Sequence, residues 1–216
     1  AKPADRERMV TSGVEVMPAL NRLDWRTLGL AELDVSGAGR PAFDQQLALY
    51  RAYTERELAG RAHPVMERAH DWLAANEPTD APMGLSWGDA RLGNMIWQDY
   101  RCAAVCDWEA CALSPPDADI GWWVMFDRMS FDDLGVARLE GFPTREQMLA
   151  QWEAAMGRSV AGDILYWEIF ATMRFCAIMI KLSHRLLRAG MQTAETSTAV
   201  KNPVSDALAR LLAMAG

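Results

Sequence analysis

The chain has 216 residues, a length typical of one domain or of two small ones. Half of the residues are apolar and nine are tryptophan, enough to form a sizeable packed core. The net charge of -7 argues against a nucleic-acid partner, because such proteins carry a basic face. No run of Lys and Arg suited to a membrane surface is present either.

The cysteines and the chain start indicate the cellular compartment. No C-x-x-C pair occurs among the four cysteines, Cys102, Cys106, Cys111 and Cys176. With three histidines in the chain, a zinc site is poorly supported, and free thiols in a reducing cytoplasm are expected. The first ten residues are charged and lack the apolar run of a signal peptide.

Three helices are predicted in the first third of the chain, where apolar residues recur at three- and four-residue steps. They span Pro3 to Leu23, Ala42 to Leu58 and Pro64 to Asn76. Pro18 is expected to kink or split the first helix. The segment Ser36 to Pro41 contains a G-x-G, but no strand precedes it and no third glycine follows, so a plain loop is predicted.

The only convincing β signal is a hairpin. Its predicted parts are the strands Met95 to Gln98 and Ala103 to Cys106 and the turn Asp99 to Cys102. A register symmetric about the middle of this turn places Ile96 opposite Val105. Continued by two residues, it places Asn94 opposite Asp107, with their Cβ atoms roughly 5 Å apart.

Four more helices are predicted after the hairpin. They span Asp117 to Ser130, Thr144 to Met156, Val160 to Leu187 and Pro203 to Ala213. Thr144 and Gln147 form a capping-box pattern. The long apolar stretch Ile164 to Ile180 contains Glu168 and Arg174, which predicts a buried helix and not a membrane span.

Around the hairpin, three polar residues are spaced as phosphoryl transfer requires. Asn94 and Asp107 offer hard oxygen ligands of the kind Mg²⁺ takes when phosphates and water complete its shell. Asp89, five residues before Asn94, could accept a hydroxyl proton and orient the oxygen. Spacing alone leaves a second interpretation open, in which the hairpin is structural, Asp89 is a cap and Asp107 is salt-bridged.

Three motifs follow one another along this part of the chain: W-G-D-A-R-L-G-N at 87–94, V-C-D-W-E at 105–109 and D-A-D-I-G-W at 117–122. In this order and with these gaps they resemble the aminoglycoside phosphotransferase/choline kinase family, which has the protein-kinase-like fold. The resemblance implies an α+β, mostly α C-terminal lobe over residues 1–216, helical with a small β-hairpin that carries the catalytic and metal-binding loops.

The resemblance also implies roles for the residues at matching positions. Asp89 would be the catalytic base, and Asn94 and Asp107 would hold the Mg²⁺ ions that bridge the phosphates of ATP. Asp119 would support the catalytic loop through backbone hydrogen bonds. Arg91 lies two residues after the base, where protein kinases place a Lys that reaches the transferred phosphate.

The roles of Arg91 and Glu109 stay open on the sequence. For Arg91, a salt bridge to Asp107 or Glu109 is the alternative to a phosphate contact. Glu109 is either close to the metal or simply exposed.

Two departures from the family pattern stand out. Trp87 occupies the position of the usual His, and its indole N–H is expected to replace that structural support. No N-terminal nucleotide lobe with an ATP-pairing lysine is recognisable. We expect that lobe in the full-length protein, and weak ATP affinity with little turnover for this chain alone.

The leading hypothesis is therefore an ATP-dependent phosphotransferase acting on a hydroxyl of a small molecule, aminoglycoside-like or another alcohol. A non-catalytic kinase-like module that binds a ligand or a partner is the alternative. A metal-dependent hydrolase is the weakest hypothesis, because no His ligand is available. Trp122, Trp152, Tyr166, Trp167 and Glu168 are expected either to line the acceptor pocket or to belong to the core.

Overall fold

The computed structural model describes residues 2–34 and 43–216. Its helices are α1 (Pro3–Asn21), α2 (Asp44–Leu58), α3 (Pro64–Ala75), α4 (Asp117–Arg128), α5 (Arg145–Met156), α6 (Ile164–Arg188) and α7 (Pro203–Met214). Its strands are β1 (Gly84–Ser86), β2 (Met95–Gln98), β3 (Arg101–Val105) and β4 (Ala112–Ser114). The predicted α+β, mostly α class is confirmed. The predicted loop Ser36 to Pro41 and the predicted helix start at Ala42 lie outside the described residues.

Helix ends follow the local capping chemistry. Pro18 does not split α1, which continues to Asn21. At the start of α5, the Thr144 N–H donates to Gln147 Oε1 (2.8 Å) and the Gln147 N–H donates to Thr144 Oγ1 (3.2 Å), which confirms the capping box. Helix α6 begins four residues later than predicted, because Asp163 caps it by accepting from the Leu165 N–H (2.8 Å).

The core forms around α6, which packs against α2, α3, α4 and α7. The approach of α4 to α6 is close: a Cβ at Gly121 would lie 2.5 Å from the Cβ of Trp167. Trp152, Tyr166 and Trp167 are buried in the core. Among the described residues, no helix is long and apolar enough to cross a membrane.

The hairpin exists, but its predicted register was wrong. The loop has two residues, Asp99 and Tyr100, whose φ angles of 50° and 60° fit the type I′ turn favoured between twisted strands. Strand β3 therefore starts earlier than predicted, and an irregularity after Ile96 shifts the pairing again, so Ile96 lies opposite Ala104. Continued pairing places Asn94 opposite Cys106, whose N–H donates to the Asn94 carbonyl (2.8 Å).

A second antiparallel pair, β1 with β4, was not predicted. Leu85 lies opposite Leu113 at its centre, and both side chains are buried. Each strand has three residues, too few to show a period-two pattern. This pair brings the segment before residues 87–94, the predicted catalytic loop, next to the segment that enters α4.

The free energy of unfolding of the protein is expected to depend on pH through His70, which lies on α3. Its imidazole is 4% exposed, and neither ring nitrogen has a hydrogen-bond partner in the part of the chain that the structure describes. Burial, with a smaller contribution from the Arg51 cation, lowers the pKa of His70 from 6.5 to about 4. The unfolded chain binds this proton more tightly, so stability should fall by roughly 3 kcal/mol as the pH drops from 6.5 to about 4.

Urea denaturation at a series of pH values measures this loss. The His70→Leu variant serves as the control, because it removes the titrating group and should flatten the profile in this window. An identical slope in both proteins would contradict the assignment.

Candidate active site

Residues 87–94, the predicted catalytic loop, run from β1 to β2 and are fixed at their start by Trp87. The indole is fully buried, and its Nε1–H donates to the carbonyl oxygen of Cys106 (2.9 Å). Cys106 directly precedes Asp107. The single indole N–H thus connects the loop that carries Asp89 to the segment that carries Asp107.

Asp119, on the first turn of α4, binds the start of the same loop through hydrogen bonds. Its buried carboxylate accepts from the backbone N–H groups of Trp87 (2.9 Å) and Gly88 (2.8 Å). It also accepts from the Ser86 hydroxyl (2.7 Å) and from the side-chain amide of Asn21 on α1 (2.7 Å). Four donors, three from residues 86–88 and one from α1, converge on one carboxylate, which fixes the backbone leading into Asp89.

Asp89 has a partly exposed carboxylate, 19% accessible, held by three side-chain donors. Arg91 Nε lies 3.1 Å from Oδ1 and 3.2 Å from Oδ2. The Asn94 amide donates to Oδ2 (2.6 Å), and the Trp122 indole donates to Oδ1 (2.7 Å). Because both oxygens accept hydrogen bonds, from three different side chains, the orientation of the carboxylate is defined.

Asn94 and Asp107 present oxygen atoms suited to a magnesium ion. The Asn94 Nδ2 donates to the backbone oxygen and the carboxylate of Asp89, which leaves Oδ1 as an acceptor. Asp107 is exposed, and its side chain has no hydrogen bond or ion pair with any described residue. Two hard oxygen donors fit Mg²⁺, which takes few protein ligands when phosphates and water supply the rest.

Their relative placement differs from the predicted facing pair. Asp107 lies one residue beyond the partner of Asn94 and has φ 61°. Among the described residues, no cluster of three or more His, Cys, Asp or Glu side chains could hold a metal by itself.

Arg91 and Glu109 differ in how far they are integrated into the site. Of the two roles left open for Arg91, the salt bridge to Asp107 or Glu109 does not form, because Arg91 pairs with Asp89 and lies over the Phe126 ring at 5.7 Å. Glu109 is exposed on a short 3₁₀ turn, and it forms no hydrogen bond or ion pair within the described ranges.

A cavity of about 300 Å³ opens beside the catalytic loop. Its walls come from the loop, α1, α4, the turn that follows α4, and α5. Most of the lining is apolar: Val10, Leu92, Trp123, Phe126, Phe131, Phe142 and Met148. Its polar lining consists of Arg91, Asp127 and Ser130, and the Asp127 carboxylate is paired with Arg138 (2.5 Å).

Two residues that contact the catalytic loop could not be assigned from the sequence. Trp122 was placed either in a pocket or in the core, and its bond to Asp89 was not foreseen. Arg174 was treated as an interruption of an apolar helix, yet it donates to the Gly88 carbonyl (2.7 Å). The sequence signal that could have identified Arg174 is its position in a strongly apolar helix with no carboxylate close to it in the sequence.

The fold and the loop geometry are those of a kinase-like phosphotransferase, and comparison with known proteins agrees. Residues 2–156 match the model of the Phosphotransferase enzyme family (APH). The chain belongs to this family, which confirms the resemblance drawn from the three motifs.

Solved structures share the fold. A putative aminoglycoside phosphotransferase from Ralstonia eutropha JMP134 superposes with a TM-score of 0.81 at 22% identity, covering 99% of this chain and 67% of that one. A macrolide 2′-phosphotransferase from Brachybacterium faecium gives a TM-score of 0.57 at 19% identity, covering 94% and 63%. At these identities the likeness concerns the fold.

Sequence relatives are much longer proteins. Acyl-CoA dehydrogenase family member 10 of Mus musculus is 27% identical over 209 residues, 91% of this chain and 19% of the mouse protein. Acyl-CoA dehydrogenase family member 11 of Rattus norvegicus is 25% identical over 182 residues, 80% of this chain and 23% of the rat protein. The chain thus spans about a fifth of their length, and their dehydrogenase names are not transferred to it.

Proposed function

We propose that this chain is the catalytic and acceptor-binding lobe of an ATP- and Mg²⁺-dependent phosphotransferase that acts on a hydroxyl group of a small molecule. The nucleotide lobe then belongs to the full-length protein, outside these 216 residues. The observation that carries the proposal is the Asp89 carboxylate, oriented by Arg91, Asn94 and Trp122. Its ion-pair partner Arg91 also lines a cavity. All four cysteines are free thiols, which supports a cytoplasmic location.

In the reaction, Asp89 accepts the proton of the acceptor hydroxyl while the hydroxyl oxygen forms a bond to the γ-phosphorus of ATP. The bond from that phosphorus to the β–γ bridging oxygen breaks, and ADP leaves. Asn94 Oδ1 and the Asp107 carboxylate would hold Mg²⁺, which neutralises phosphate charge when bound. Arg91, anchored to Asp89, would add positive charge next to the phosphoryl group that is transferred.

The acceptor is proposed to occupy the cavity beside Arg91. Of the two acceptor types predicted, an alcohol other than an aminoglycoside is favoured. The Asp127 carboxylate in the lining is paired with Arg138, so the cavity offers little negative charge to a polycation. The resemblance to the family implies that the acceptor is held by helices within Ala42 to Asn76 and Thr144 to Leu187. Of the described residues in these ranges, only Met148 of α5 lines the cavity.

The alternative of a non-catalytic binding module has less support. Asp89, Asn94 and Asp107 are all present, and Asp89 and Asn94 are hydrogen-bonded to each other. A module that had lost catalysis would not need this arrangement.

Asp107→Asn should lower phosphate transfer by about 10²-fold or more and raise the Mg²⁺ concentration needed for half-maximal rate, because a neutral amide is a weaker Mg²⁺ ligand. The measurement uses the full-length protein with radiolabelled ATP and a panel of small alcohols. Asp99→Asn is the matched control, since it removes an exposed carboxylate from the other end of the same hairpin. Equal Mg²⁺ dependence in both variants would exclude Asp107 as a metal ligand.

A further inference from the structure

Arg174 is a buried cation without a carboxylate partner among the described residues. It lies in the middle of α6 and is 5% exposed. Aromatic rings surround its guanidinium: the ring centroids of Trp122, Tyr50 and Phe170 lie 4.6, 5.1 and 5.5 Å from Cζ. Burying a charge is costly unless specific contacts compensate for it, so these contacts need a reason.

One contact fixes the peptide bond that precedes Asp89. Arg174 Nη2 donates to the carbonyl oxygen of Gly88 (2.7 Å), and the N–H of Gly88 donates to Asp119 (2.8 Å). Gly88 has φ +86°, and a Cβ there would lie 2.0 Å from the carbonyl oxygen of Ala110. The glycine must therefore stay a glycine, and its peptide groups are held from outside, by Asp119 on one side and Arg174 on the other.

A second contact fixes the indole that holds Asp89. The Arg174 guanidinium lies over the Trp122 ring, while Phe126 and Phe175 pack against that ring at centroid distances of 5.3 and 6.1 Å. The indole N–H donates to Asp89 Oδ1 (2.7 Å). Arg174 thus contacts both the backbone and the side-chain support of Asp89 without touching Asp89 itself.

We propose that Arg174 is a positioning residue for Asp89, acting through the Gly88 carbonyl and the Trp122 indole together. A planar guanidinium can stack with its face and donate with its edge, whereas the point charge of a lysine cannot do both. The catalytic consequence rests on the proposed function; the structural linkage from Arg174 to Trp122 does not.

The linkage is tested by NMR of the protein labelled with ¹⁵N-tryptophan. Trp122→Phe identifies the Trp122 indole signal, which should shift in Asp89→Asn because its acceptor changes. In Arg174→Lys the same signal should shift or broaden. Arg128→Lys is the matched control, because Arg128 also joins α4 to α6, through Glu168 (2.8 Å), without contacting the catalytic loop.

The catalytic consequence is tested by steady-state kinetics on the full-length protein. Arg174→Lys should lower kcat by about 10- to 100-fold, since a small misplacement of a catalytic group has effects of this size, with both KM values changed less than about twofold. Arg174→Met, which keeps the packing of the stem and loses every donor, should lower kcat at least as far.

Each outcome decides one of the two claims. An unchanged Trp122 signal in Arg174→Lys, or a shift of the same size in Arg128→Lys, would overturn the positioning role. A shifted signal with an unchanged kcat would overturn its catalytic consequence and leave the proposed function standing. Absence of transfer by the unmodified protein would refute the proposed function, and the NMR result would still decide the linkage.

Discussion

Asp89→Asn should lower phosphate transfer by about 10²- to 10⁴-fold, the usual contribution of a positioned base. The amide has nearly the same shape but cannot take the hydroxyl proton. Since the carboxylate accepts from Arg91, Asn94 and Trp122, an amide also turns one N–H₂ group toward a donor. We expect the loss in kcat, with the KM for ATP nearly unchanged, measured by steady-state kinetics on the full-length protein.

The control for this variant is another aspartate that is paired with an arginine. Asp71 pairs with Arg51 on the surface (2.9 Å), away from the catalytic loop. Asp71→Asn removes a comparable ion pair and should leave kcat unchanged, because an exposed pair contributes little. Retention of more than about a tenth of the activity by Asp89→Asn would show that another group takes the proton.

Asp119→Ala should lower the free energy of unfolding by about 4 kcal/mol. The buried carboxylate accepts from Ser86, Trp87, Gly88 and Asn21. Its removal leaves these four donors without an acceptor, which costs roughly 1 kcal/mol for each donor. The catalytic loop should loosen with them, so activity should fall even where the protein remains folded. Urea denaturation measures the first effect and kinetics the second.

Asp163→Ala provides the comparison for Asp119→Ala. Asp163 caps α6 through a bond to the Leu165 N–H (2.8 Å) at the surface. Losing such a cap costs about 1 kcal/mol. An equal loss of unfolding free energy in the two variants would contradict the claim that the four hydrogen bonds to Asp119 stabilise the protein more than a single helix cap does.

The sequence predicts the parts of this site that depend on local patterns. The hairpin, the α5 capping box and most helix bounds follow from periodicity and turn residues close to one another in the chain. The positions of Asp89, Asn94 and Asp107 follow from motif spacing. Their roles remain proposals.

What could not be predicted depends on exact register and on distant contacts. The observed hairpin register differs from the predicted one because Asp99 and Tyr100 both adopt positive φ and form a two-residue turn, which the sequence pattern does not reveal. An irregularity after Ile96 then shifted Asn94 relative to Asp107. Local reasoning also left the role of Arg91 open and did not include its ion pair with Asp89.

Distant contacts left no pattern in the sequence. The bond from Arg174 to Gly88 joins residues 86 positions apart, and the one from Trp122 to Asp89 joins residues 33 apart. Only the packing of α6 and α4 beneath the loop brings these residues together. The pairing of β1 with β4 is similar, because strands of three residues show no pattern of their own.

The most direct test of the central claim is to follow where the γ-phosphate goes. The full-length protein is incubated with Mg-ATP and an accepted alcohol, and ³¹P NMR records the products over time. We predict a phosphomonoester signal of the alcohol that grows in step with ADP, and its loss in Asp89→Asn. Release of inorganic phosphate alone, or equal phosphomonoester formation by Asp89→Asn, would contradict the assignment of Asp89 as the base of a phosphotransferase.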